Sequence, residues 1–341
     1  MNRFLFRRVS MDRSAEGVTG MRRSAWAWGR RLGGCGILAV VVWRLGPGPF
    51  VAGVRQIDAR ALLAALSITL LTTVCAAWRW RTVAQGLGAA LSLRAAIPAY
   101  YRSQFINSAL PGGVIGDVHR GWRQGLVAGG VGRGLRAVAW ERAAGQVVLV
   151  AVSLTVLLLL DSPVHDRMGW IAGAAAGAAL CVVLGARALS RRGRSRWGRV
   201  AAGMTADVRD GLLARRAWPA VAASSLLVAA GHTGIFVIAA WTTGSEASLA
   251  RLLPLSLLVL LAMGLPLNVG GWGPREGVAA WVFGAAGLGA GQGVAAATAY
   301  GVMAFVAVLP GALVLAGEWL GRSVEGPGVR RAATETVEVA A

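Results

Sequence analysis

Long apolar runs, separated by short stretches rich in arginine, set the pattern of this chain. Runs over about 32–45, 61–78, 138–160, 170–189, 218–243 and 294–320 read as membrane-crossing helices, since a bilayer core needs about 20 apolar residues in helical form. Two further runs, over 95–123 and 251–288, are interrupted. The first breaks at Pro111, Gly112 and Gly113, with Gly116 close behind, and the second at Pro266, Gly270 and Gly271. Between 187 and 216 the pattern changes again. Trp197, Val200, Met204, Val208 and Leu212 recur at helical spacing among arginines, which predicts an amphipathic helix on the membrane surface.

Composition strengthens the membrane reading, with 56% hydrophobic and 15% charged residues. The net charge of +20 comes entirely from arginine, because there is no lysine. In a soluble chain that charge would suggest nucleic acid. Here the arginines lie between apolar runs, so nucleic acid is excluded and anionic lipid head groups are the expected partner of the cytoplasmic arginines. Cys35, Cys75 and Cys181 each sit in an apolar run, and His119, His165 and His232 are scattered, so no metal or cofactor is expected. The first thirty residues hold many arginines without an apolar core, unlike a cleavable signal peptide.

Arginine placement predicts topology. With the N-terminal arm, 79–94 and 187–216 all in the cytoplasm, the positive-inside rule holds only if 95–123 enters and leaves on the cytoplasmic side. By the same count 251–288 enters and leaves on the outer side. The fold class expected is therefore all-α: a polytopic helical bundle of about six spans plus two oppositely oriented re-entrant hairpins forming an inverted repeat. Eight full spans is the alternative. Residues 1–31 are expected as a disordered basic cytoplasmic arm, 32–320 as the membrane domain and 321–341 as a disordered polar tail. Both termini then face the cytoplasm of a multi-pass plasma-membrane protein, and an oligomer stays open.

The chemistry gathers at the breaks. A broken helix in the membrane frees backbone groups, which is tolerated only against protein or a water-filled cavity. Asp117 and Arg120 follow the first break, Arg275 and Glu276 the second, and Glu141 and Arg142 open the third span. Together with Arg79 they are candidate substrate-binding residues, expected to converge near the membrane midplane. The half-helix after a break presents N–H groups to an anion, and Arg120 can fork onto a phosphate. Each ion pair, taken alone, serves equally well to lock helices together. No nucleophile–base set, phosphate loop or metal motif is visible, so no catalytic residue is assigned.

Ala77-Trp78-Arg79-Trp80, Phe105-Ile106-Asn107, Leu110-Pro111-Gly112-Gly113 with Gly116-Asp117-Val118 and Arg120, Glu141-Arg142, and Gly270-Gly271 with Gly273 and Glu276 occur in this order. In that order they resemble the lysylphosphatidylglycerol synthase transmembrane region family, over about 32–320. The resemblance implies a flippase-like membrane protein that moves a phospholipid or lipid-linked glycan between leaflets, or an accessory subunit or membrane enzyme acting on such lipids. No soluble aminoacyl-transfer domain, as carried by fused members, is expected after the last span. Lysyl-lipid synthesis by this chain is accordingly not expected.

Overall fold

The computed structural model describes residues 35–110, 113–191, 195–264 and 272–324. Of the expected break residues, Pro111, Gly112, Pro266, Gly270 and Gly271 lie outside the described residues, as do the arm 1–31 and positions 325–341. In chain order the helices are α1 (Cys35–Leu45), α2 (Gly48–Arg55), α3 (Ala59–Gly86), α4 (Leu93–Ala109), α5 (Ile115–Val127), α6 (Val131–Leu159) and α7 (Met168–Arg191). They continue as α8 (Arg196–Asp207), α9 (Trp218–Thr242), α10 (Leu249–Met263), α11 (Pro274–Ala285), α12 (Ala290–Ala307) and α13 (Pro310–Val324). No β-strand occurs among the described elements. Five stretches are long and apolar enough to cross a membrane: 59–86, 131–159, 165–189, 218–242 and 290–320. The pair α1 and α2, bent by 97°, makes a sixth if counted as one span. The chain is thus an all-α, multi-pass membrane protein.

The two interrupted runs fold back on themselves. Helices α4 and α5 pack together, and Ala128 after α5 packs with Leu91 and Ala89 before α4. Arg133 closes that end by donating to the Gly88 carbonyl at 3.2 Å. Helices α10 and α11 do the same at the opposite end of the bundle, where Arg251 in the first turn of α10 donates to the carbonyl of Ala286 just after α11. Each hairpin is flanked by two long helices: α3 and α6 for the first, α9 and α12 for the second. The correspondence extends to residues. Proline is the sixth residue of both first arms (Pro98 in α4, Pro254 in α10), inside the helix, where each removes one backbone hydrogen bond. An acid is the third residue of both second arms (Asp117 in α5, Glu276 in α11).

Lipid tails are as apolar as leucine, so packing rather than water exclusion holds these helices together. The interfaces are accordingly built from small residues. Ala61, Ala65, Ala239, Ala240, Ala296, Ala297 and Ala299 are buried with Phe236, Phe283 and Tyr300 in the largest apolar cluster, which joins α3, α9, α10, α11 and α12. A smaller one joins Trp80, Tyr100 and Val138 beside the first hairpin. Gly116 has no room for a side chain, since a Cβ there would overlap the Ser103 carbonyl of α4.

Two sequence expectations shift. Helix α6 begins at Val131 rather than 138, so Glu141 and Arg142 lie about three turns inside it rather than at its start. Within its first turns Gly134 lies against the backbone of Gly121 and Gly125, an approach that only a glycine permits. The amphipathic stretch forms α8 and then a π turn over Val208–Leu212. Trp197, Val200 and Met204 are exposed. Leu212 instead packs with Val83, Ala144 and Val221, fixing this segment against the end of α3, the middle of α6 and the start of α9.

Candidate functional site

Five of the seven candidate residues form one connected network. Glu141 is its centre. Its Oε1 accepts from Arg79 Nε at 2.9 Å and Nη2 at 2.6 Å, and from the Tyr100 hydroxyl at 3.2 Å. Its Oε2 accepts from Arg120 Nη2 at 2.7 Å. Arg79 also donates to Ser225 of α9 at 2.9 Å, and its guanidinium lies where a side chain at Gly145 would otherwise sit. Asp117 takes Arg120 Nε at 2.9 Å, Ser103 at 3.1 Å, Asn107 at 2.9 Å and Arg142 Nη2 at 2.5 Å. A sequence span of more than 140 residues is thereby pinned to the first hairpin.

Arg120 is wholly enclosed. It lies over the rings of Trp80 and Tyr100, at 4.5 and 4.4 Å, which compensates the Nη1 group that has no hydrogen-bond partner. Its fork therefore serves Asp117 and Glu141, not an open site. The Gly116 N–H at the start of α5 is likewise taken, by Asn107 Oδ1 at 2.8 Å.

Arg142 differs from the other two arginines. Its side chain keeps 48% of its surface open, against 5% for Arg79 and none for Arg120. The space it opens onto is a cavity of about 360 Å³ that it helps to line. Gly113 at the first break and Gly264 at the second both border this cavity, so the tips of the two hairpins face each other across it. Thr72, Gly145 and His232, which border it too, sit near mid-length of α3, α6 and α9. Gly145 is 14 residues from either end of α6, or about 21 Å at 1.5 Å per residue. The cavity thus lies near mid-length of these three helices. Gln104, Asn107, Gln146 and Ser225 add neutral polar groups to its wall. Three guanidiniums against two carboxylates leave the network one positive charge in excess.

Arg275 and Glu276 stand apart. They pair with each other at 2.6 Å, and Glu276 caps α11 by accepting the Gly273 N–H at 2.7 Å. Arg275 lies over Trp272 at 4.7 Å and Tyr300 at 5.6 Å, in space that a side chain at Gly301 would fill. The link to the cavity is indirect: the Tyr300 hydroxyl and His232 Nδ1 are 3.1 Å apart, and both residues border it. Among the described residues, no ion pair joins this pair to the Glu141 network.

Sequence reasoning missed Glu318. This residue of α13 holds Arg102 of α4 and, at 2.5 Å, Arg123 of α5, so one carboxylate ties both arms of the first hairpin. A lone acid inside the last apolar run was the available signal. It also missed Tyr100 and Trp80 as the walls around Arg120, although Trp80 closes one of the motifs quoted above. Among the described residues, no three of His, Cys, Asp and Glu come together as a metal-binding group. A family model described as the lysylphosphatidylglycerol synthase TM region matches residues 31–311. No curated protein and no solved structure matches the chain.

Proposed function

The chain belongs to the lysylphosphatidylglycerol synthase TM region family, a membrane protein family with a flippase-like role, and on that premise we propose that it moves a phosphate-bearing lipid head group between the leaflets of the plasma membrane. The observation that carries this reading is Arg142, half open to a polar cavity between the two hairpin tips. A charged side chain at a helix centre costs roughly 2.5–3.5 kcal/mol on insertion scales, so such groups cluster where they have a use. The surplus positive charge favours an anion, and a phosphodiester supplies one. Arg142 has free donors for it, and the surrounding amides and hydroxyls suit the hydroxyls of a glycerol or sugar.

In this reading Arg79, Asp117, Arg120 and Glu141 hold Arg142 and the first hairpin in place, and Arg142 meets the phosphate. Arg275 and Glu276 do the holding at the second break. The two hairpins are re-entrant, one from each side, and residues 35–320 form the transporting body. Acyl chains stay in lipid while the head group crosses, which a cavity of about 360 Å³ accommodates.

The test is transport in vesicles. Reconstituted protein should move acyl-labelled phosphatidylglycerol across the bilayer. Arg142→Gln should fold normally and lower the rate at least about tenfold, the equivalent of one charge-assisted hydrogen bond. A wild-type rate in Arg142→Gln would sink the proposal.

A further inference from the structure

The wall of the central cavity carries charge of one sign. Arg79 and Arg142 line it, and among the described residues no aspartate or glutamate does. The two breaks supply none either, since 110–116 reads LPGGVIG and 264–273 reads GLPLNVGGWG. The acids of the network stand behind the wall, and both are buried. Asp117 accepts from Ser103, Asn107, Arg120 and Arg142. Glu141 accepts twice from Arg79 and once each from Tyr100 and Arg120. A carboxylate offers about four acceptor sites, so the protein's own donors already use what these two have.

An ammonium group needs what this wall lacks. It has three donors and no acceptor, and away from bulk water it is held by a carboxylate or over an aromatic face. The two tyrosines on the wall are already engaged by guanidiniums, Tyr100 by Arg120 at 4.4 Å and Tyr300 by Arg275 at 5.6 Å. A phosphate, by contrast, meets Arg142, and the group it carries meets neutral amides. Gln104 of α4 accepts the Thr73 hydroxyl at 3.0 Å, which leaves its NH2 to the cavity it lines. Gln146 lies one turn beyond Arg142 on the same face of α6 and touches Gly264 at the second hairpin's tip. An amide both donates and accepts, which matches a hydroxyl.

We propose that this cavity selects a phosphodiester lipid whose head group is an uncharged polyol, a glycerol or a sugar, and rejects one that bears an ammonium. Gln104 and Gln146 are its specificity-determining residues. This rests on the head-group reading of the cavity given above and adds to it the class of substrate.

The experiment measures binding apart from transport. Dihexanoyl forms of phosphatidylglycerol, phosphatidylmethanol and phosphatidylethanolamine are titrated calorimetrically into the full chain in detergent. The expected order is phosphatidylglycerol tightest and phosphatidylethanolamine weakest, with at least about tenfold between them. Phosphatidylmethanol has neither hydroxyls nor ammonium and should fall between, so the first step reports the hydroxyls and the second the ammonium. Gln146→Leu should bring phosphatidylglycerol down to the affinity of phosphatidylmethanol. Gln104→Glu is isosteric, can still accept from Thr73, and should raise phosphatidylethanolamine to the affinity of phosphatidylglycerol or above. Glycerophosphoglycerol, the same head group without chains, should bind at least about tenfold more weakly than the lipid; equal affinity would make a soluble polyol phosphate the ligand and overturn the lipid assignment. Equal binding of phosphatidylglycerol and phosphatidylethanolamine by the wild type, no binding of either, or an unchanged order in Gln104→Glu overturns the proposal. Selective binding without movement in vesicles removes the transport reading and leaves this one standing. Movement of both lipids at one rate does the reverse.

Discussion

Glu141 and Arg142 are adjacent in sequence and opposite in circumstance. Glu141 has no exposed surface and compensates two enclosed guanidiniums, whereas Arg142 is half open. Removing one member of a buried pair leaves an uncompensated charge and costs about 3–5 kcal/mol. Glu141→Gln is therefore expected to unfold at clearly lower temperature in detergent, with Arg79 and Arg120 both stranded. Arg142→Gln should stay close to wild type in the same thermal scan. Equal destabilisation by the two variants would mean that Arg142 is structural as well. Arg120→Lys separates enclosure from ligand contact in another way. Lysine keeps the charge but cannot bond Asp117 and Glu141 together while lying flat between Trp80 and Tyr100. The expected result is a loss of stability, with transport by the surviving folded protein unchanged. A folded, fully stable Arg120→Lys protein that fails to transport would return Arg120 to the substrate. At this scale the charged residues of the first break were legible, because ionisable groups in apolar sequence are few. Their division of labour was not, because which arginine is covered depends on ring positions contributed by α3 and α4.

The hairpins were legible as elements for a simple reason: in two of the apolar runs a proline is joined by a pair of adjacent glycines, Gly112-Gly113 and Gly270-Gly271. Their closure was not. It depends on single contacts such as Arg251 to the Ala286 carbonyl, and on backbone approaches that glycine spacing alone does not announce. Gly134 shows the difficulty, since it is a point where α5 and α6 touch backbone to backbone. The same contacts make a prediction about glycine. Gly116→Ala would drive a methyl group into the Ser103 carbonyl, and the obstacle is backbone rather than a movable side chain. The first hairpin could close only by shifting α5, breaking the Asn107 and Asp117 bonds beside it. Gly173→Ala on α7 meets nothing within 4 Å and replaces glycine by the better helix former. Gly116→Ala should therefore accumulate poorly in membranes and melt early, and Gly173→Ala should match or exceed wild type. If both accumulate and melt alike, the close packing of α4 on α5 is not what holds the hairpin.

For the whole molecule, charge is sorted by end. Arg133, Arg136, Arg196, Arg199, Arg209, Arg215 and Arg216 lie where α6 and α9 begin and α8 packs, and all are exposed. At the other end, Arg55, Arg60, Arg167 and Arg251 are interspersed with Asp58, Asp161, Asp166 and Glu246. The positive-inside rule counts arginine near the span ends, so we propose that the first end faces the cytoplasm. The first hairpin then opens inward and the second outward, and the central cavity lies between their tips. Ser195 and Ser245 report the two ends. Ser195 caps α8 by accepting the Gly198 N–H at 2.9 Å, and Ser245 lies in the loop between α9 and α10. Cys35 and Cys181 are exposed and would react, so the labelling needs a background with all three native cysteines replaced. In that background Ser245→Cys should react with a membrane-impermeant maleimide in intact cells, and Ser195→Cys only after permeabilisation. Reaction of Ser195→Cys from outside would invert the molecule. The arginine face would then meet the outer leaflet, where the anionic lipid that would hold Arg196 and Arg199 beside the exposed Trp197 is scarcer, and the assignment of both hairpins would reverse with it.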